Sequence, residues 1–126
     1  MKLEVGMYIR FKDKNGVQYI RKIVDLPEDT RYGAIRIDKD SHNVCWVSKK
    51  NVLNASFSVT DLIELGDILL IKDFVNEISM VFIDIYYIQN ENQLFNIKRD
   101  SEKNKNMKIS KILTKEQFEN MAYEVE

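Results

Sequence analysis

The stretch that decides the fold is "ELGDILLIKD", residues 64–73, because the chain has already opened with "EVGMYIRFKD" at 4–13. Each segment places a Glu, an aliphatic residue and a Gly ahead of an apolar run, and the two lie in phase, sixty residues apart. In the first, Val5, Met7, Ile9 and Phe11 alternate with Gly6, Tyr8, Arg10 and Lys12, the period-two pattern of a half-buried strand. A glycine at the mouth of such a strand lets the backbone bend sharply where a small sheet turns back on itself.

Working outward, "KDKNG" (12–16) ends in an Asn-Gly pair suited to a tight hairpin turn. "VQYIRKIVDL" (17–26) is rich in β-branched and aromatic residues and reads as the returning strand. Pro27 interrupts it, since proline offers no donor to a ladder. "RYGAIRID" (31–38) and "VCWV" (44–47) supply a third and a fourth strand. After a weak turn at "SVTDLI" (58–63), the second half repeats the scheme. It runs through 64–73, "ISMVFIDIYYIQ" (78–89), a turn at "NENQ", a strand at "LFNIKRD" (94–100), a polar loop, and "MKISKIL" (107–113). "WVSKK" (46–50) and "KISKI" (108–112) form a second internal match, at an offset of 62. Two matches in the same order favour an internal duplication.

The expected fold is therefore mainly β. It consists of two small SH3-like barrel-type halves, or one meandering sheet, with a short C-terminal α-helix. The subdomains expected are 1–57 and 58–126, packed as one compact unit. Thr114 caps the helix and Gln117 completes a capping box, with Phe118, Met121 and Ala122 on one face of a helix over 115–123.

Composition narrows the function. A net charge of −1 provides no global field toward nucleic acid or an anionic membrane. Cys45 is the only cysteine, so no intrachain disulfide forms, and a reducing, cytoplasmic setting is expected. No apolar run reaches the length of a membrane helix, and no signal peptide is evident. His42 and Cys45 alone cannot make a closed zinc site. The carboxylates are dispersed, and phosphate-binding loops and nucleophile elbows are absent. No catalytic residue, metal or cofactor is expected, so the chain reads as a non-enzyme. Trp46 is expected as a core or interface anchor. Asp84, inside the apolar "MVFIDIYYI", is expected near a sheet edge where a carboxylate can be solvated or paired. The same strand is apolar on both faces, so its outer face calls for a cover: the helix, the other half, or a second copy in a homodimer.

The best binding candidates are the basic residues of the last third. Lys98, Arg99, Lys108 and Lys111, with Tyr86 nearby in sequence, are expected to contact a partner or a phosphate. A solvated lysine face is the bland alternative.

Three segments carry a resemblance: "MKLEVGMYIRFKD", "SVTDLIELGDILL" and "KILTKEQFENMAYEVE". They resemble small uncharacterised phage and prophage proteins of low-GC Firmicutes, of clostridial type. Those proteins share a D-L-I-E-x-G-D segment, met by Asp61, Leu62, Ile63, Glu64, Gly66 and Asp67. They also share a T-K-E-Q-F-E segment, met by Thr114 through Glu119. The resemblance implies a phage accessory protein in the host cytoplasm. Such a protein would bind and inhibit a bacterial defence component, an anti-CRISPR being one form. The alternatives are a small β-barrel that binds nucleic acid or sequesters a nucleotide signal, and a virion or adaptor structural protein.

Overall fold

The computed structural model describes residues 2–27, 33–38, 45–75, 79–104 and 106–121. The chain divides into two compact units, 1–62 and 63–126. The division falls beyond the expected 57/58 because a short 3₁₀ turn, Val59–Leu62, packs on strands of the first unit.

The first unit contains β1 (Tyr8–Lys12), β2 (Gln18–Asp25), β3 (Ala34–Ile37), β4 (Cys45–Ser48) and β5 (Val52–Ser56). They form one antiparallel sheet in the order β4-β3-β2-β1-β5. The Asp13 carboxylate accepts from the N–H groups of Asn15 and Val17 and holds the β1–β2 turn. Ile9, Phe11, Ile23, Ile35, Ile37 and Val47 form a buried cluster, with Val52 and Ala55 packed against it. That cluster draws on both edge strands, so the sheet bends around its core. β4 and β5 are not paired, and no closed barrel forms among the described residues.

The second unit contains β6 (Ile68–Val75), β7 (Ser79–Tyr87), α1 (Glu91–Lys103), β8 (Met107–Leu113) and α2 (Lys115–Met121). Its antiparallel sheet has the order β7-β6-β8. The mainly β expectation therefore holds, as two antiparallel sheets with a short terminal helix. The strand expected at 94–100 is instead the middle of α1. Asn90 caps that helix by accepting from the Gln93 N–H at 2.9 Å, and Gln93 Oε1 accepts in turn from the Gln89 N–H. Leu94 and Ile97, three residues apart, then reach the core formed by Ile63, Leu69, Ile71 and Ile88.

The opening repeat is a real structural unit. Gly6 and Gly66 have φ of 95° and 94°, and each is the third residue of a turn closed by a 3.2 Å bond, Met7 to Glu4 and Asp67 to Glu64. Each glycine N–H then donates to the end of the second strand, Gly6 to Ile23 and Gly66 to Ile88. Those isoleucines donate back to Met7 and Asp67. The side chain after the glycine also reaches back in both: Met7 Sδ and Asp67 Oδ2 accept from the N–H groups of Glu4 and Glu64, at 3.3 and 2.9 Å.

A second shared device is a bulge. The β1–β5 register slips between Arg10 and Phe11, and the β6–β8 register slips between Leu70 and Ile71. The extra residues are Leu53 and Ser110. Each bulge resets the alternation so that residues three apart, Val52 and Ala55 or Ile109 and Ile112, both face the core. The frame β2-β1-β5 thus matches β7-β6-β8. The first unit completes its core with the β3–β4 hairpin, the second with α1.

This geometry corrects the second sequence match. "WVSKK" runs from β4, at the far edge of its sheet, into a 3₁₀ turn (Lys49–Asn51), whereas "KISKI" lies on β8 beside the central strand. The counterpart of β8 is β5.

Candidate functional surfaces

The D-L-I-E-x-G-D and T-K-E-Q-F-E segments are occupied by structural work. Asp61 accepts from the Ser56 hydroxyl at 2.6 Å, Leu62 and Ile63 are buried, and Glu64, Gly66 and Asp67 build the second glycine turn. At the other segment Thr114 Oγ1 accepts from the Gln117 N–H at 3.3 Å, and Gln117 Oε1 accepts from the Thr114 N–H at 3.1 Å. The expected capping box is present. Phe118, expected on the core, is 50% exposed; Ala122 lies outside the described residues.

The expected basic site is divided by the second sheet. Cross-strand partners share a face, so Leu69, Tyr86 and Ile112 form one inner row, and Ile71, Asp84 and Ile109 the next. The alternate rows face outward: Ile68 with Tyr87 and Leu113, Leu70 with Ile85 and Lys111, and Lys72 with Lys108. Lys108 and Lys111 are exposed on this outer face, and it is the Ser110 bulge that puts both there. Lys98 and Arg99 ride on α1, which packs on the inner side. Arg99 pairs with Asp100 at 3.2 Å and stands over the Phe95 ring at 5.8 Å. Tyr86 is half-buried against the core, so the exposed tyrosine of β7 is its neighbour Tyr87. Asp84 lies in an inner row yet is exposed, because β7 is an edge strand from which a carboxylate reaches water.

The outer face exposes apolar side chains. Ile85 is 72% and Tyr87 45% exposed. Next to them, Gly66, Ile68, Tyr87, Lys115, Phe118 and Glu119 line a hollow of about 340 Å³. The face therefore carries Ile85 and Tyr87 on β7, beside Ile68 and Phe118, and lysines on the other strands, Lys72 on β6 and Lys108 and Lys111 on β8.

The first unit has a hollow that sequence reading missed. Phe11, Asp13, Tyr19, Arg21, Ile37, Trp46 and Val47 line a space of about 250 Å³. Phe11 and Tyr19 are cross-strand partners with stacked rings 5.8 Å apart. Arg21 stands over the Tyr19 ring at 5.5 Å, and Arg36 over the Trp46 ring at 5.8 Å. Trp46 is 58% exposed rather than a core anchor, because it lies on edge strand β4 opposite Arg36 and out of phase with buried Val47. The signal in the sequence was the spacing of Phe11 and Tyr19 about a two-stranded turn.

On the far side of the same strands, Arg10 is 2% exposed. It donates from Nε to Gln18 Oε1 at 2.6 Å and from Nη1 to the Leu62 carbonyl at 3.0 Å, tying β1 to the 3₁₀ turn.

Charge follows the division of the chain. Residues 1–62 carry 11 Lys and Arg against 8 Asp and Glu, a net of +3, and residues 63–126 carry 8 against 12, a net of −4. Among the described residues, no group of three His, Cys, Asp or Glu is placed to hold a metal ion. His42 and the Cys45 side chain lie outside the described residues. No helix of the described residues is long and apolar enough to cross a membrane. Comparison of the chain with protein-family models, with curated proteins and with solved structures returns no match.

Proposed function

We propose that this chain is a non-enzymatic binding protein that occupies a partner protein through the outer face of the β7-β6-β8 sheet. The observation that carries the reading is that face itself: Ile85 at 72% and Tyr87 at 45% exposure, continuous with the Phe118 hollow. Contiguous apolar exposure of this kind marks a surface meant to be covered. The lysines on its other strands, Lys72, Lys108 and Lys111, suit an acidic rim on the partner and would steer its approach. On the phage resemblance, the partner is a bacterial defence component such as a nuclease or CRISPR effector, and the action is stoichiometric blockade in the host cell.

The test is retention of a host nuclease or signalling component by the tagged chain, compared with Ile85→Asp. Position 85 faces water, so the substitution should leave the fold intact, which circular dichroism checks. Ile85→Asp is expected to lower retention at least tenfold, as a charge placed at an interface anchor does. Stoichiometric retention that the substitution leaves unchanged, or no retention by the parent chain, contradicts the proposal. A single assembly of the chain with itself, broken by Ile85→Asp, would assign the face to a homodimer instead.

A further inference from the structure

The aromatic hollow of the first unit has no part in that reading, and its chemistry differs. We infer that it binds single-stranded nucleic acid, with an unpaired base stacked against Trp46 and an adjoining phosphate set beside Arg36. Three observations converge on this occupant. Trp46 is a large ring 58% exposed, at the edge of a space of about 250 Å³ whose wall continues through Tyr19 and Phe11. Two guanidinium groups flank the rings, Arg36 at Trp46 and Arg21 at Tyr19. The unit bearing them is the cationic one, at +3, while the unit bearing the expected lysine site is at −4.

Charge and ring together select the ligand class. An exposed aromatic ring beside arginines offers a π-face to a base and a cation to the phosphate that follows it. A duplex keeps its bases stacked on one another and offers the ring nothing. A purely acidic peptide would answer the arginines but has no π-face to lay on the indole. The Asp13 carboxylate on the wall accepts through Oδ1 from the Asn15 and Val17 N–H groups of its own turn, and its charge keeps the phosphate on the Arg36 side of the indole.

Trp46 is the only tryptophan, so its emission reads the site directly. The experiment titrates the full chain with a fluorescein-labelled oligothymidylate of about twelve nucleotides, within the span a small β module covers. Anisotropy reports binding and indole emission reports stacking; the matching duplex and a poly-glutamate peptide serve as competitors. Binding should quench Trp46 and weaken with salt, at a log–log slope of about −0.7 for each phosphate neutralised. Trp46→Ala should weaken binding by roughly 5- to 150-fold, the range for loss of one stacked base, and Trp46→Phe should recover part of it. Arg36→Ala should lower the salt slope, and Lys108→Ala with Lys111→Ala should change neither readout. No binding at low salt, binding without quenching, or affinity untouched by Trp46→Ala overturns the inference. So does equal competition by the duplex, which would leave only a charge field, or by poly-glutamate, which would assign the hollow to an acidic protein.

Discussion

A Cβ placed on Gly66 would sit 3.1 Å from the Cβ of Lys115, at a φ of +94° that side chains rarely adopt. Gly6 shares the conformation, at +95°, but the nearest atom to its Cβ position is Phe57 Cε1 at 3.8 Å, an ordinary contact. The left-handed backbone costs an alanine about 1–2 kcal/mol wherever it occurs. Gly6→Ala should therefore lose about that much in urea denaturation, and Gly66→Ala measurably more, because the Lys115 Cβ is anchored in the first turn of α2. Equal losses would mean that the close approach at Gly66 is not real. At this scale the sequence told half the story. Glu-x-Gly was visible at both sites, but the hook from the following side chain was not. Met7 and Asp67 belong to no common chemical class, and only geometry shows that a thioether and a carboxylate accept from the same main-chain position.

Elements were legible where one period ruled and misread where two competed. "MKISKIL" places isoleucines at 109 and 112, a spacing no regular strand can bury on one face. The bulge at Ser110 resolves it, so both isoleucines enter the core and both lysines leave it. In "LFNIKRD", Phe95 and Ile97 suggest period two, while Leu94, Ile97 and the Asn90–Gln93 cap fit a helix. The helix is formed because the cap and the core contacts of Leu94 and Ile97 act together. Phe95 is left 65% exposed under Arg99, four residues on. This difference is measurable. On a strand Phe95 and Ile97 would share a face, and truncating either would be costly. On α1, Ile97→Ala should cost about 2–5 kcal/mol by thermal or urea unfolding, and Phe95→Ala less than about 1 kcal/mol, as for a surface helix pair. Comparable losses at the two positions would contradict the helix.

For the molecule as a whole, a net charge near zero conceals two units of opposite sign, and one repeated signature conceals two different ways of finishing a core. A three-stranded frame is opened by a glycine turn, bent by a bulge in its third strand, and followed by a helical turn, Val59–Leu62 or Lys115–Met121. What fills the gap between its second and third strands differs: a β-hairpin that carries Trp46 in the first unit, a helix in the second. The sequence showed the frame because glycine and alternation are strong local signals. It hid the division of the lysines because a face is a property of register, which no local run of residues states.

The claim on which the rest stands is that one backbone arrangement is built twice. Through-hydrogen-bond scalar couplings in the isotope-labelled chain measure it directly. Six are predicted: Met7 to Glu4, Gly6 to Ile23 and Ile23 to Met7 in the first unit, and Asp67 to Glu64, Gly66 to Ile88 and Ile88 to Asp67 in the second. Two matched sets of three would support the account. One set present and its counterpart missing, or couplings from Gly6 or Gly66 to other carbonyls, would contradict it.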